Sequence, residues 1–173
     1  LSYASTGAGS AEHLASELFS SVGKANFLHV PFKGTSSAIP DMMSGRVDFT
    51  MSAIPDLIGL VRSKQLRALG VTTTKRLPIL PEIPAIAESL PGFELIQWFA
   101  FVVPAGLPQP IVDKLNSDLG KAATSAALKP AWDERFITGT SYSLRDTEDF
   151  YNAQLVRWEG IIKSLGLDKL LAN

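Results

Sequence analysis

The chain has 173 residues, 46% of them hydrophobic and 19% charged, with a formal net charge of −1 and no cysteine. At roughly 100–200 residues per domain, this length holds one large domain or two small ones, with enough core to fold without staples. Without cysteine there is no disulfide scaffold, Cys-ligated zinc site or thiol nucleophile, and two histidines leave little for a His-rich metal site. Sixteen basic residues against seventeen acidic ones, with a pI near 6.1, give no net field to hold a polyanion, so nucleic acid is not an expected partner. The longest apolar run, Trp98 to Val103, falls far short of the roughly 18–20 residues a membrane helix needs, so no membrane insertion is expected. No signal peptide is visible, and the chain opens at Leu1 on an apolar run. That opening leads us to expect a sequence incomplete at its N-terminus.

The elements alternate. Residues 1–4 form a strand candidate, and Ser5-Thr6-Gly7-Ala8-Gly9-Ser10 a loop. A helix follows with Leu14, Leu18 and Val22 on one stripe. Phe27-Leu28-His29-Val30 before Pro31 is a second strand, Lys33 to Ser37 a second loop, and Ala38, Ile39, Met42 and Met43 a short helix ending near Gly45. Residues 47–51 predict a third strand. Ser52-Ala53-Ile54-Pro55 leads into a helix with Leu57, Ile58 and Val61 inward, and residues 66–72 predict a fourth strand. Such alternation over short connections implies right-handed crossovers and a mainly parallel sheet, with the loops after the strands along one edge.

Residues 73–91, punctuated by Pro78, Pro81, Pro84 and Pro91, read as a connector. Residues 94–103 predict a long strand containing Trp98. Pro104 to Pro108 form a turn, and Pro110 opens a helix with Ile111, Leu115 and Leu119 on one stripe. A short helix over 127–135 and a strand at 136–138 come next. The final helix, capped at Asp146 or Thr147, repeats Tyr151, Leu155, Trp158, Ile162 and Leu165 until Gly166.

The loop from Ser5 to Ser10 carries the strongest chemical signal. A Gly-rich turn from strand into helix aims backbone N–H groups and the positive helix end at one point, which suits an anion. The plain alternative is an ordinary strand–helix loop with Ser10 as N-cap. Lys33-Gly34-Thr35 is a second helix entrance with a cation beside it, and Ser52 adds a hydroxyl at the third. Two entrances facing one crevice favour a carboxylate site over either loop alone. Dinucleotide binding fails on detail: Glu12 stands where a third glycine belongs, and no acidic residue ends the second strand. No Gly-x-Ser-x-Gly elbow occurs, and Ser21-Val22-Gly23-Lys24 lacks the companion motifs of a Ser-x-x-Lys enzyme. His13 reads as a capping or packing residue and His29 as a satisfied core histidine. No catalytic residue, metal site or cofactor is expected.

The run Tyr3-Ala4-Ser5-Thr6-Gly7-Ala8-Gly9-Ser10-Ala11-Glu12-His13-Leu14 resembles a signature stretch of the Bug/TctC family, the extracytoplasmic solute receptors of tripartite tricarboxylate transporters. The likeness continues in order through His29-Val30-Pro31-Phe32-Lys33-Gly34, Leu66 to Thr72, Pro81-Glu82-Ile83-Pro84, Leu90-Pro91-Gly92-Phe93 and Pro104 to Pro108. It implies an α/β, periplasmic-binding-protein-like (type II) fold of two lobes. Residues 1–72 would form most of one lobe, 73–91 the connector, and 92–173 the C-terminal part of the other, with the family's N-terminal part outside this sequence. It also implies a periplasmic receptor, not an enzyme. Such a receptor captures a small organic carboxylate between its lobes, on Ser5, Thr6, Gly7, Gly9, Ser10, Lys33, Gly34 and Thr35, and hands it to membrane permease subunits. Many relatives carry Phe-Asp-Asn after the third strand where this chain has Met51-Ser52-Ala53, a departure that implies a ligand without an ammonium group. Two rival readings stay open. One is a serine hydrolase of α/β class using Ser5 or Ser10 with His13 as base, and the other a ligand-sensing domain with no transport role.

Overall fold

The computed structural model describes residues 1–168. These residues group into two compact units, one of Leu1–Trp98 with the chain from Ile161 on, the other of Phe99–Gly160.

The first unit begins with three strand–helix repeats: β1 (Ser2–Ser5), α1 (Ala11–Val22), β2 (Leu28–Pro31), α2 (Thr35–Met43), β3 (Phe49–Thr50) and α3 (Ile54–Arg62). The strands form a parallel sheet in the order β2-β1-β3, with Tyr3 opposite both His29 and Phe49, and Ala4 opposite Val30 and Thr50. Side chains alternate across a strand, so Tyr3, His29 and Phe49 share one face and Ala4 and Val30 the other. The first face is aromatic and faces α1: Tyr3 stacks on His29, and Phe19 of α1 packs near Phe27, Phe49 and Phe93. The second face is small and aliphatic. Ala4, Ala38 and Val47 are buried there, with Val30, Phe32 and Met42 packed around them. Ala4 leaves room for α2 to approach the sheet, while Tyr3 fills the α1 side.

Polar contacts pin the sheet at both ends. The Asp48 carboxylate accepts from the Ser2 backbone N–H (2.6 Å) and hydroxyl (3.0 Å), and the Thr50 hydroxyl donates to the Ala4 carbonyl (3.0 Å). Helix α1 is N-capped by Ser10, as its sequence predicts. Helix α2 starts at Thr35, ahead of its first apolar residue, and carries Pro40 within it.

Three expected strands do not form. Residues 66–72 make a single parallel bridge, Val71 with Ala85, plus one bond from the Leu95 N–H to the Thr72 carbonyl. Residues 94–103 form no ladder among the described residues, and Phe99, Phe101 and Val102 are 80%, 80% and 87% exposed. An apolar run becomes a strand only where a neighbour pairs along its length, and for these two the pairing stops at one bridge and one bond. Residues 136–138 instead close the end of a helix. Phe136 has φ +56°, its N–H bonds to the Asp133 carbonyl and that of Ile137 to the Trp132 carbonyl, a Schellman arrangement.

The second unit holds α4 (Gln109–Ala123), α5 (Lys129–Glu134) and most of α6 (Leu144–Ser164). The cap of α6 is neither Asp146 nor Thr147 but Ser143. Its Oγ accepts from the Asp146 N–H (3.1 Å) and donates to the Asp146 carboxylate (2.7 Å), an N-cap that starts the helix earlier than the apolar stripe indicates.

Candidate functional site

Because the three strands run parallel, loops 6–10, 32–34 and 51–53 all leave the sheet at its C-terminal edge. The strand order reverses at β1, with β2 on one side and β3 on the other. In open α/β sheets, ligands sit in the crevice that such a reversal opens outside the strand ends. Ser5, Thr6, Gly7, Gly9, Ser10, Lys33, Gly34, Thr35 and Ser52 all lie at this edge.

Within the first loop, most of the groups expected to meet a ligand hold the loop itself. Ser5 is 3% exposed; its hydroxyl accepts from the Gly7 N–H (3.1 Å), lies 3.2 Å from the Gly7 carbonyl and 2.6 Å from His29 Nε2. The Thr6 hydroxyl donates to Glu12 Oε2 (2.6 Å), and the Gly9 N–H donates to His13 Nδ1 (3.1 Å). Ser10 Oγ accepts from the His13 N–H (3.2 Å), and the Ser10 N–H donates to the Gly7 carbonyl (3.2 Å). Gly7 and Gly9, with φ of +124° and +78°, take up backbone conformations that a side chain disfavours. What the loop leaves open is the Ser10 hydroxyl hydrogen, the Thr6 and Ala8 N–H groups, and the first N–H groups of α1 at Ala11 and Glu12, none bonded to a described residue.

The second and third loops meet each other. Thr35 Oγ1 lies 3.4 Å from Ser52 Oγ, which donates to Asp56 Oδ2 (3.1 Å). A depression of about 320 Å³ beside them is lined by Thr35, Ser36, Ile39 and Asp56. The α2 N-cap, Gly34, brings no side chain, so the Thr35 and Ser36 N–H groups remain open. Lys33 is exposed and has no carboxylate within ion-pair reach among the described residues. No hydrogen bond joins loop 6–10 to Lys33, Thr35 or Ser52 among the described residues.

Asp56 is the residue that loop-by-loop reading overlooks. The carboxylate missing from positions 51–53 reappears one helical turn on, held by Ser52. A Ser-x-x-x-Asp spacing across a helix start was the available signal.

Behind the first loop lies a buried polar cluster. The His13 and His29 rings stack 4.2 Å apart, Tyr3 stacks on His29 at 5.0 Å, and the Tyr3 hydroxyl donates to Glu17 Oε1 (2.5 Å). Burial pushes the His13 pKa below its ordinary value, with Glu17 pulling the other way. His29 is lowered by burial, then by the neighbouring His13, against Glu17. Burial, then the Glu17 carboxylate, raise the Tyr3 phenol. Both histidines are packed and partnered, as expected. The imidazole within reach of Ser5 is His29 rather than the His13 expected as base, and Ser10 meets only the His13 backbone. No cluster of three or more metal-ligating side chains occurs among the described residues.

The sheet, its edge loops and their open donors define a binding fold of periplasmic-binding-protein type. The sequence matches the family described as the tripartite tricarboxylate transporter family receptor, TctC, over residues 1–167, and the chain belongs to that family. It is 36% identical over 164 residues to the UPF0065 protein in the tcbD-tcbE intergenic region of Pseudomonas sp. (strain P51), covering 94% of this chain and 49% of that one. Among solved structures it is similar to R. palustris Rpa4515 with adipate, at TM-score 0.81 and 33% identity over 96% of this chain and 56% of that one. The periplasmic binding protein BugD matches at TM-score 0.80 and 28% identity, with the same shares of 96% and 56%. The chain spans about half the length of these relatives. No helix among the described residues is long and apolar enough to cross a membrane.

Proposed function

We propose that this chain supplies one wall of a periplasmic receptor for a small organic carboxylate, and that the receptor passes its ligand to the membrane subunits of a tripartite transporter. Residues 1–72, which carry the three strand–helix repeats, form that wall. The carrying observation is the convergence on one sheet edge of N–H groups at the starts of α1 and α2, beside Lys33, none of which has a partner among the described residues. Oriented N–H groups at helix N-termini hold a carboxylate through the helix dipole and hydrogen bonds, without any bond chemistry. Rpa4515, whose structure contains adipate, supports a dicarboxylate of that size as the first probe. Ser5 at 3% exposure weighs against a nucleophile that must meet a substrate, and closure around a ligand needs only a shift between two populations.

Calorimetry of the chain with adipate and with uncharged 1,6-hexanediol tests this reading. Adipate binds and the diol does not. Lys33→Ala weakens adipate about tenfold, the equivalent of ~1.4 kcal/mol from one charge-assisted bond. Equal binding of the two compounds, or none of adipate, overturns the reading. Aspartate binding more tightly than adipate would place an ammonium partner at Asp56 and reverse the expectation drawn from Met51-Ser52-Ala53.

A further inference from the structure

The loop that offers the open donors is shaped by an imidazole. His13, 5% exposed, accepts the Gly9 N–H on Nδ1, so that nitrogen carries no proton and the ring is neutral with its hydrogen on Nε2. A second proton would turn Nδ1 into a donor facing another donor. The Gly9 amide would then lose its only partner among the described residues and turn away, carrying the Ala8 and Ser10 groups with it. Around His13 there is little to welcome a charge. From β2 the His29 ring stacks on it at 4.2 Å, and from β1 Tyr3 stacks at 6.4 Å. On its own helix Glu17 is engaged by the Tyr3 hydroxyl at 2.5 Å, and Glu12 is turned to the Thr6 hydroxyl at 2.6 Å. His29 in turn reaches Ser5 Oγ, the acceptor of the Gly7 N–H. The two glycine amides that set the loop's path are thus tied, directly or through one hydroxyl, to a pair of stacked imidazoles.

We propose that His13 is a positioning residue of the ligand loop, holding Gly9 in place as a neutral imidazole and releasing it when protonated, so that acid loosens the loop and weakens the ligand. This rests on the carboxylate reading above for its effect on affinity, but not for its effect on the loop. Burial lowers the His13 pKa, and the sign follows from that. The loop keeps its shape above the ordinary value of 6.5 and loses it as pH falls below that toward the folded-state value.

The test uses amide NMR of the full chain from pH 7.5 to pH 5, with and without adipate, in the wild type and in His13→Asn. Asparagine can accept from Gly9 through Oδ1 but takes no proton. In the ligand-free wild type the Gly9 amide shift moves with the same midpoint as the His13 ring protons, and in His13→Asn it stays flat. Adipate affinity falls about tenfold more across this range in the wild type than in His13→Asn, where only the ligand's own carboxyls titrate. A Gly9 amide that ignores the His13 titration, or a variant as pH-dependent as the wild type, overturns the proposal. If adipate binds neither protein, the carboxylate reading fails, and the Gly9 amide alone decides the fate of the loop device.

Discussion

Both units are built from amphipathic elements, yet among the described residues only the first buries a hydrophobic core, although it too leaves Leu28, Leu69 and Ile96 exposed. Every hydrophobic residue buried among the described residues belongs to the first unit, from Tyr3 and Ala4 to Phe93, Leu95 and Leu167. The second unit shows Phe99, Phe101 and Val102 to solvent, and on its helices Ile111, Leu115, Phe150, Leu155 and Val156 are exposed as well. A helical stripe says which face of a segment gains from burial; it does not say what buries it. In the first unit the sheet supplies that surface, and a polar cluster behind loop 6–10 follows from it. In the second, several stripe residues stay exposed, and the elements are joined by contacts such as Asn116 Nδ2–H to the Tyr142 carbonyl (3.1 Å) and Trp132 Nε1–H to the Ala123 carbonyl (2.8 Å).

The comparison breaks or holds most visibly on two aromatic truncations. Tyr3 is fully buried between β2 and α1, and Tyr3→Ala opens a cavity where ring stacking and a hydrogen bond were. It should destabilise the first unit by about 3–5 kcal/mol, a large part of a typical domain's stability. Phe101→Ala removes a ring that is mostly in water and should change stability by less than about 0.5 kcal/mol. Urea titrations read on resolved amides of each unit separate the two. Comparable losses from both variants would show that Phe101 is packed in solution.

Alkali offers a second, smaller handle on the same ring. The Tyr3 phenol is raised above 10.0 in the fold by burial and Glu17, whereas in the unfolded chain it ionises near that value. Its contribution is therefore intact below pH 10 and is lost as pH climbs toward the folded-state value. Stability of the first unit should decline above pH 10 in the wild type and decline less in Tyr3→Phe, which has no phenol to ionise. A parallel decline in both proteins would show that some other group drives it.

Local rules made the first unit legible. Alternating apolar runs placed β1, α1, β2, α2 and α3 within a few residues, and Ser10 was readable as the cap of α1. The parallel sheet followed from connection length alone. Residues 66–72 and 94–103 misled for one physical reason: strand character belongs to a pair of segments, and a single run carries no record of its partner. At the sheet edge, sequence located the loops after the strands but not the state of their atoms. Ser5, Thr6 and Gly9 looked like donors for a ligand, and their hydrogens turn out to bind the loop's own His29, Glu12 and His13 or neighbouring carbonyls. Those partners come from β2 and from α1 one turn on. Such long-range saturation is invisible until the register Tyr3 with His29 is known.

Ion pairs give the smallest expected effect, and they sharpen the contrast between the units. In the second unit the pairs Lys114–Asp118, Lys129–Asp133 and Arg145–Asp149 each join residues one helical turn apart and restrain no more than that turn. In the first, Arg76 holds both oxygens of Glu88 at 2.8 Å and also donates to the Pro81 carbonyl (3.1 Å), while Glu88 Oε1 accepts the Ala85 N–H (2.9 Å). That fork closes the proline-rich stretch onto the turn Ile86–Glu88, next to the Val71–Ala85 bridge. Both partners are solvent-exposed, so screening keeps the effect modest. The hydrogen bonds from Arg76, then that from Ala85, hold the Glu88 carboxyl at about 2, well below its ordinary 4.5. A lowered folded-state pKa means the contribution is complete above pH 4.5 and is lost as pH falls toward about 2. Glu88→Gln should therefore be less stable than the wild type at pH 7, with the gap narrowing through that acid window and shrinking in high salt. Lys114→Gln, which loosens one turn of α4, should show a smaller gap at pH 7. A Lys114→Gln gap as large as that of Glu88→Gln would show that closing a loop across the fold adds nothing to an exposed pair.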